Sequence, residues 1–183
     1  MSLAGRLARV RHRFLGHKDI AFYRSRGMVI GEDVQLGPDN YFDPPNAGLI
    51  SIGDRVVFAP RVTIIAHDAS LRRRKGLTKI ACVTIGDDVF VGAGVMILPG
   101  VTIGSGAIIG AGSLVVRDIP ADALAIGSPA RPVKDVADLE AKYDRDVQWG
   151  PRYNAETPGR VPTRDEWPAM RAEVAAAGYG WGA

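Results

Sequence analysis

VTIGDDVFVGAGVMILPGVTIGSGAIIGAGSLVV (83–116) places an aliphatic residue at every sixth position: Ile85, Val91, Ile97, Ile103, Ile109 and Val115. Gly follows directly at Gly86, Gly92, Gly104 and Gly110. The same count runs backwards through Ile52, Phe58 and Ile64, and again through Ile30, Leu36 and Phe42. Small or branched residues sit four positions after a marker at Val34, Val56, Val62, Val89, Val95, Val101, Ala107 and Ser113. A period of six is the pattern of a parallel β-helix, in which each unit supplies one short strand and one turn. Val and Ile suit the strands, and Gly supplies turn conformations that a Cβ penalises. Markers of successive coils then stack inside a prism, so burial comes from neighbouring coils and not from a globular centre.

Two other readings of the stretch fail. In an α-helix each Gly costs about 1 kcal/mol relative to Ala, and Val and Ile dominate what remains. GSGAIIG (104–110) has the wrong spacing for a dinucleotide-binding GxGxxG, and its glycines already belong to the period of six. The repeat breaks twice, between Phe42 and Ile52 around DPPNAG, and between Ile64 and Ile85 around AHDASLRRRKGLTKIAC. A coil stack throws such insertions outward as loops, where function concentrates.

The remaining composition is ordinary for a globular chain. Of 183 residues 46% are hydrophobic and 23% charged, and the net charge of +3 is mildly basic. Nothing in that balance calls for nucleic acid. Cys82 is alone, so there is no internal disulfide framework, and a reducing, cytoplasmic setting is expected. The N-terminus lacks the apolar core of a secretory signal, and no apolar run reaches the roughly 20 residues of a membrane span.

Three zones follow: an N-terminal helical cap over 1–27, a β-helix over 28–133 with an extended loop at 66–83, and a C-terminal extension over 134–183 that is partly helical. In the first, Leu3, Leu7, Val10 and Phe14 share one helical face, opposite Arg6, Arg9, Arg11 and Arg13. That helix either covers the first coil, as open repeat stacks require, or rests on an anionic membrane surface. In the last, DVADLEAKYDRDVQW and TRDEWPAMRAEVAAAGY read as helices, the second started or interrupted by Pro168, joined by a Pro-rich connector. Trp149, Trp167 and Trp181 anchor this tail by packing or line an acceptor site.

From AHD (66–68) to PARPV (129–133) the chain resembles the hexapeptide-repeat acyltransferases, in particular galactoside, maltose and polysaccharide O-acetyltransferases. The motifs that carry the resemblance are TIGDDVFVGAGVMILPGVTIG and AIIGAGSLVVRDIPADALAIGSPARPV. The resemblance implies an all-β solenoid, a left-handed parallel β-helix. It also implies a homotrimer with active sites between subunits, acetyl-CoA as acyl donor, no metal, and a sugar or glycan acceptor from a cell-surface polysaccharide or its precursor. The left hand comes from the resemblance alone, since parallel crossovers are ordinarily right-handed.

Residue by residue, His67 matches the family's general base. A sugar hydroxyl is a poor nucleophile, and an imidazole is poised near neutral pH to take its proton. Ala93 matches the backbone N–H that faces the developing oxyanion. Asp43 falls where relatives carry an acceptor-binding Asn, so it either accepts hydrogen bonds from the sugar or serves as a turn residue before Pro44 and Pro45. Phe90 stands in for a Trp on the acceptor wall. Gly92, Ala93, Ala111 and Val116 are expected along the pantetheine arm, and Arg117, Arg131 and Lys134 near the coenzyme phosphates. Asp68 is a poor partner for His67, because adjacent side chains in an extended segment point opposite ways. RRRK (72–75) either attracts a nucleotide-sugar diphosphate or an anionic glycan, or is a solvated loop.

Three alternatives are set against this. An aminosugar N-acetyltransferase uses the same scaffold with a better nucleophile. A zinc carbonic anhydrase needs three histidine ligands, yet two of the three histidines here, His12 and His17, precede the repeats. A non-catalytic β-helix scaffold would be indifferent to loss of His67.

Overall fold

The structure, a computed structural model, describes residues 19–147, 152–153, 163, 165–177 and 181–182. Residues up to Val136 and from Ala137 onward form two compact units.

In the first unit the period of six becomes three parallel sheets. The first holds Val29–Ile30, Ile50–Ile52, Val83–Ile85 and Thr102–Ile103. The second holds Gln35–Leu36, Val57–Phe58, Phe90–Val91, Ile108–Ile109 and Ala123–Gly127. The third holds Tyr41–Phe42, Thr63–Ile64, Met96–Ile97 and Leu114–Val115. Strands two or three residues long are too short to stand alone. They persist because each pairs with the coils on either side: Val91 lies between Phe58 and Ile109, and Ile97 between Ile64 and Val115. Markers point inward and, apart from the half-buried Leu36, are buried, as are Val34, Val56, Val62, Val89, Val95, Val101, Ala107 and Ser113. Ser113, the one polar residue in that series, is satisfied there by donating to Gly110 O and accepting from Gly127 N.

Outward-facing residues differ from sheet to sheet. The first presents Val29, Ser51, Thr84 and Thr102. The second presents Gln35, Val57, Phe90, Ile108 and Leu124, and the third Tyr41, Thr63, Met96 and Leu114. Two of the three outer faces are therefore largely apolar. Strand Ala130–Asp135 runs antiparallel to Ala123–Gly127 and ends the parallel run of the second sheet.

The open end of the first coil is closed by a short helix, Ile20–Ser25. Asp19 caps it by accepting from Phe22 N. Tyr23 is buried in line with Phe42 and Phe58, with ring centroids 5.0 and 4.8 Å apart along that series. Its hydroxyl accepts from Phe42 N at 3.1 Å and donates to Asn40 O. The Tyr23 hydroxyl thus stands where a preceding coil would have offered a carbonyl. Arg24 donates to Ile30 O and Gly31 O. The apolar and basic faces read over Leu3–Phe14 lie outside the described residues.

The second unit holds helices Val136–Val147 and Trp167–Ala177 and a two-residue parallel pairing of Arg152–Tyr153 with Trp181–Gly182. Pro168 falls in the first turn of its helix, where its missing N–H costs nothing. Trp167 is exposed; Trp149 and the side chain of Trp181 lie outside the described residues. Among the described residues no helix is long and apolar enough to cross a membrane.

Replacing Tyr23 by Phe keeps the ring and strands a buried N–H. Denaturant unfolding of Tyr23→Phe at matched protein concentration should show a loss of about 1–3 kcal/mol. An unchanged midpoint would mean that the hydroxyl closes nothing.

Candidate active site

Both breaks in the repeat fall at the same corner of the prism, between the third sheet and the first. Markers Phe42 and Ile64 pair within the third sheet, and the next markers, Ile52 and Ile85, pair within the first. The segments that leave the prism, 43–49 and 65–82, therefore lie on adjacent coils at one edge. The first turns sharply: Asp43 has φ 29°, a left-handed conformation that Asp tolerates better than most residues, and Pro44–Leu49 follows as a 3₁₀ turn. The second forms a hairpin in which His67 pairs with Ile80 and Asp68 with Lys79.

This stacking brings Asp43 and His67 together. Asp43 Oδ2 lies 2.6 Å from His67 Nδ1 and also accepts from Ala66 N at 2.9 Å. Asn46 Nδ2 lies 3.2 Å from both Asp43 oxygens and 3.1 Å from His67 Nδ1. With the Nδ1 proton directed at Asp43, the Asn46 amide and the imidazole are two donors converging on one carboxylate. The carboxylate has 0% exposure, whereas the imidazole retains 33%. Burial by itself pushes the Asp43 carboxyl up, but hydrogen bonds from His67, Ala66 N–H and Asn46 outweigh it and hold the group below the usual carboxylate range. Asp43 is ionised near neutral pH, fixes the ring, and leaves Nε2 as the nitrogen free to act.

Of the two readings of Asp43, acceptor contact or turn residue, the structure shows a sharp turn, with carboxylate oxygens buried and engaged by Asn46, Ala66 N–H and His67. Asn46, which the sequence reading passed over within PPNAG, belongs to the same cluster. A signal was present: both breaks follow every third marker, which places them on one corner. Asp68 turns away from the ring and accepts from Ser70 N.

The other residues singled out in the sequence stand elsewhere. Gly92, Ala93 and Ala111 lie at the corner between the second and third sheets, with Phe90 exposed on the adjoining outer face. Gly92 is dictated by stacking, since a Cβ there would come within 2.5 Å of Ala111 N. From Ala93 to Leu98, where the His67 corner begins, runs a stretch of five residues, on the order of 15 Å of strand. Within one chain His67 and Ala93 do not share a cleft. Val116 and Arg117 occupy the His67 corner two coils further on, and Arg131 and Lys134 lie on the antiparallel strand that ends the second sheet.

Ala93 and Ala111 share a property that the residues below them in the stack lack. At the corner between the first and second sheets the equivalent turn N–H groups are capped by the next coil: Glu32 by Asp54, Asp54 by Asp87, and Asp87 by Ser105. At the Ala93 corner the equivalent positions below it are Pro38 and Pro60, which have no N–H. The N–H groups of Ala93 and Ala111 have no acceptor among the described residues. A half-exposed turn thus offers unused donors beside small side chains.

The bacterial transferase hexapeptide model, of six repeats, matches residues 82–117. Putative acetyltransferase YvoF of Bacillus subtilis is 30% identical over 139 residues, 74% of this chain and 76% of that protein. Protein CapG of Staphylococcus aureus is 32% identical over 136 residues, 72% of this chain and 79% of that protein. The chain belongs to the hexapeptide-repeat acetyltransferase family. Its three-sheet architecture matches the left-handed β-helix of those enzymes. Galactoside O-acetyltransferase of Escherichia coli is 41% identical over 97 residues, 51% of this chain and 48% of that protein. The crystal structure of a polySia-specific acetyltransferase superposes with a TM-score of 0.51 at 31% identity, covering 59% of this chain and 51% of that one. The chain spans about half the length of several curated relatives it matches.

Because the Asp43 carboxyl is held below its ordinary value of about 3.9, the folded state binds that proton more weakly than the unfolded chain. Its contribution to stability is complete above about pH 4 and is lost as pH falls through the folded-state value. Asp43→Asn removes this dependence. The stability gap between wild type and Asp43→Asn should be widest near neutral pH and close as pH falls below about 4 in parallel urea titrations. Curves that stay parallel would mean that the carboxylate is not held by its donors.

Proposed function

We propose that the chain transfers an acetyl group from acetyl-CoA to a sugar hydroxyl, with His67 as general base and the acceptor drawn from a cell-surface polysaccharide or its precursor. The observation that carries this reading is the fully buried Asp43 carboxylate on His67 Nδ1. It commits the ring to one orientation and presents Nε2 to an incoming hydroxyl. Buried ion–imidazole pairs cost desolvation, and a scaffold protein would have no use for one whose ring stays one-third exposed, at 33%.

His67 Nε2 takes the hydroxyl proton as the oxygen attacks the thioester carbonyl, and Asp43 supplies the counter-charge. The Ala93 N–H faces the carbonyl oxygen as negative charge collects there. The C–S bond breaks, and the proton held by His67 passes to the departing thiolate. Acetyl-CoA supplies the activated acyl group. The small side chains of Ala93 and Ala111 leave room for its pantetheine arm, and Arg117, Arg131 and Lys134 match its phosphates in charge.

His67 and Ala93 stand on different corners of one prism, so this chemistry needs two copies of the chain. The apolar outer columns through Val57, Phe90 and Ile108, and through Tyr41, Met96 and Leu114, are surfaces suited to burial between copies. A homotrimer then sets His67 of one subunit beside Ala93 of the next, at three equivalent clefts.

His67→Ala should lower kcat by about 10²–10⁴-fold for transfer to galactosides or other hydroxyl sugars. Retention of full activity, or acetylation of amino sugars alone, would sink the O-transfer assignment. Ala93→Pro deletes one N–H at a position where Pro60 already occupies the turn below, and should cost about 10²–10³-fold. Co-expressing the two inactive variants should restore part of the activity, because mixed trimers contain clefts with an intact half from each chain. No recovery in mixed trimers would place the whole site within one chain.

A further inference from the structure

The hairpin that carries His67 at its base carries four consecutive cations at its tip. Arg72, Arg73, Arg74 and Lys75 form a single helical turn closed by Gly76 in the left-handed conformation, φ 69°. All four are exposed, and none pairs with a carboxylate among the described residues. Residues 66–82 hold five basic side chains and one acidic, whereas the coils on either side, 19–65 and 83–136, together hold seven basic and eleven acidic. The coil body is thus net acidic, and the charge reverses on the hairpin. The five residues from His67 to Arg72 span at most about 18 Å.

Among the described residues the coils flanking this hairpin are net acidic, so a polyanion is drawn to the hairpin in preference to them, and the hairpin starts at the proposed base. Whatever its cations hold is brought to Nε2. The coenzyme phosphates have other candidates in Arg117, Arg131 and Lys134, at the far end of the stack. We propose that Arg72–Lys75 recognise an anionic acceptor, a glycan bearing carboxylate or phosphate groups, and hold it with its hydroxyl at His67. This rests on the transferase reading and specifies its acceptor class. Leu71 and Leu77, exposed on either side of the turn, add apolar contact with sugar C–H faces.

The test is fluorescence anisotropy with labelled hexamers of N-acetylneuraminic acid and of galacturonic acid, and with maltohexaose as a neutral control. Wild type is compared with a variant combining Arg72→Gln, Arg73→Gln, Arg74→Gln and Lys75→Gln. The acidic hexamers should bind wild type at least about tenfold more tightly than the variant, the difference should shrink in high salt, and maltohexaose should not discriminate. The variant should keep the wild-type KM for acetyl-CoA. The proposal is overturned if the variant binds the acids as wild type does, or if wild type binds neither acid. It is overturned equally if the KM for acetyl-CoA rises in the variant, which would assign the loop to the donor. Capture by phosphatidylglycerol vesicles without binding of either soluble acid would make the hairpin a lipid contact instead. Acid binding with no acetyl transfer to any sugar would leave the hairpin as an anionic-glycan site and remove the transferase reading.

Discussion

A coil of three strands and three turns returns each marker to its own sheet after eighteen residues, as Val91 and Ile109 or Ile97 and Val115 show. No strand of two or three residues is stable by itself, so every coil depends on the register of the next. An insertion is tolerated only at a corner, where the chain leaves the ladder and rejoins it without shifting the pairing. The segments 43–49 and 65–82 obey this limit at the same corner on adjacent coils. Asp43 and His67, 24 residues apart, become neighbours as a direct consequence.

The pair is then fixed from below. Tyr23 caps the first coil and holds Phe42 N, and Asp43 follows Phe42 in a left-handed turn that aims its carboxylate inward. Withdrawing that carboxylate from water is unfavourable, and three donors converge on it in compensation: Ala66 N–H, the Asn46 amide and His67 Nδ1. The end cap, the aromatic stack and the positioned imidazole therefore form one continuous structure, from the capping helix to the nitrogen assigned the proposed chemistry.

The prism is also divided in what its corners offer. One corner consumes its turn N–H groups in a ladder of Asp and Ser side chains. Another leaves Ala93 and Ala111 as open donors, and the third carries His67 and the basic hairpin. A straight prism cannot fold one corner onto another, so chemistry that needs both halves needs a neighbouring copy. Under the proposed transfer, a net-acidic body and a basic hairpin would give the donor and the acceptor separate points of attachment.

The period of six was enough to establish the solenoid, its inward residues and its two insertions, because every unit repeats the same local demand: an inward aliphatic, a branched or small partner, and a turn. The sequence marked His67 as a candidate for a related reason, since it stands at the start of the longer break, and the resemblance gave it a role. The handedness was not in the spacing and came with the family. The role of Asp43 was not legible either. As one residue before Pro-Pro it reads as a turn or as a ligand, and only the stacked coil shows its oxygens buried against an imidazole. Asn46 was invisible because an amide in a short loop has no periodic signature. The separation of His67 from Ala93 required knowing which corner each occupies, a property of the closed prism and not of either segment. Sequence determined what repeats along the chain, since repetition is local; tertiary structure decided which non-repeating residues meet, since that depends on coils laid side by side.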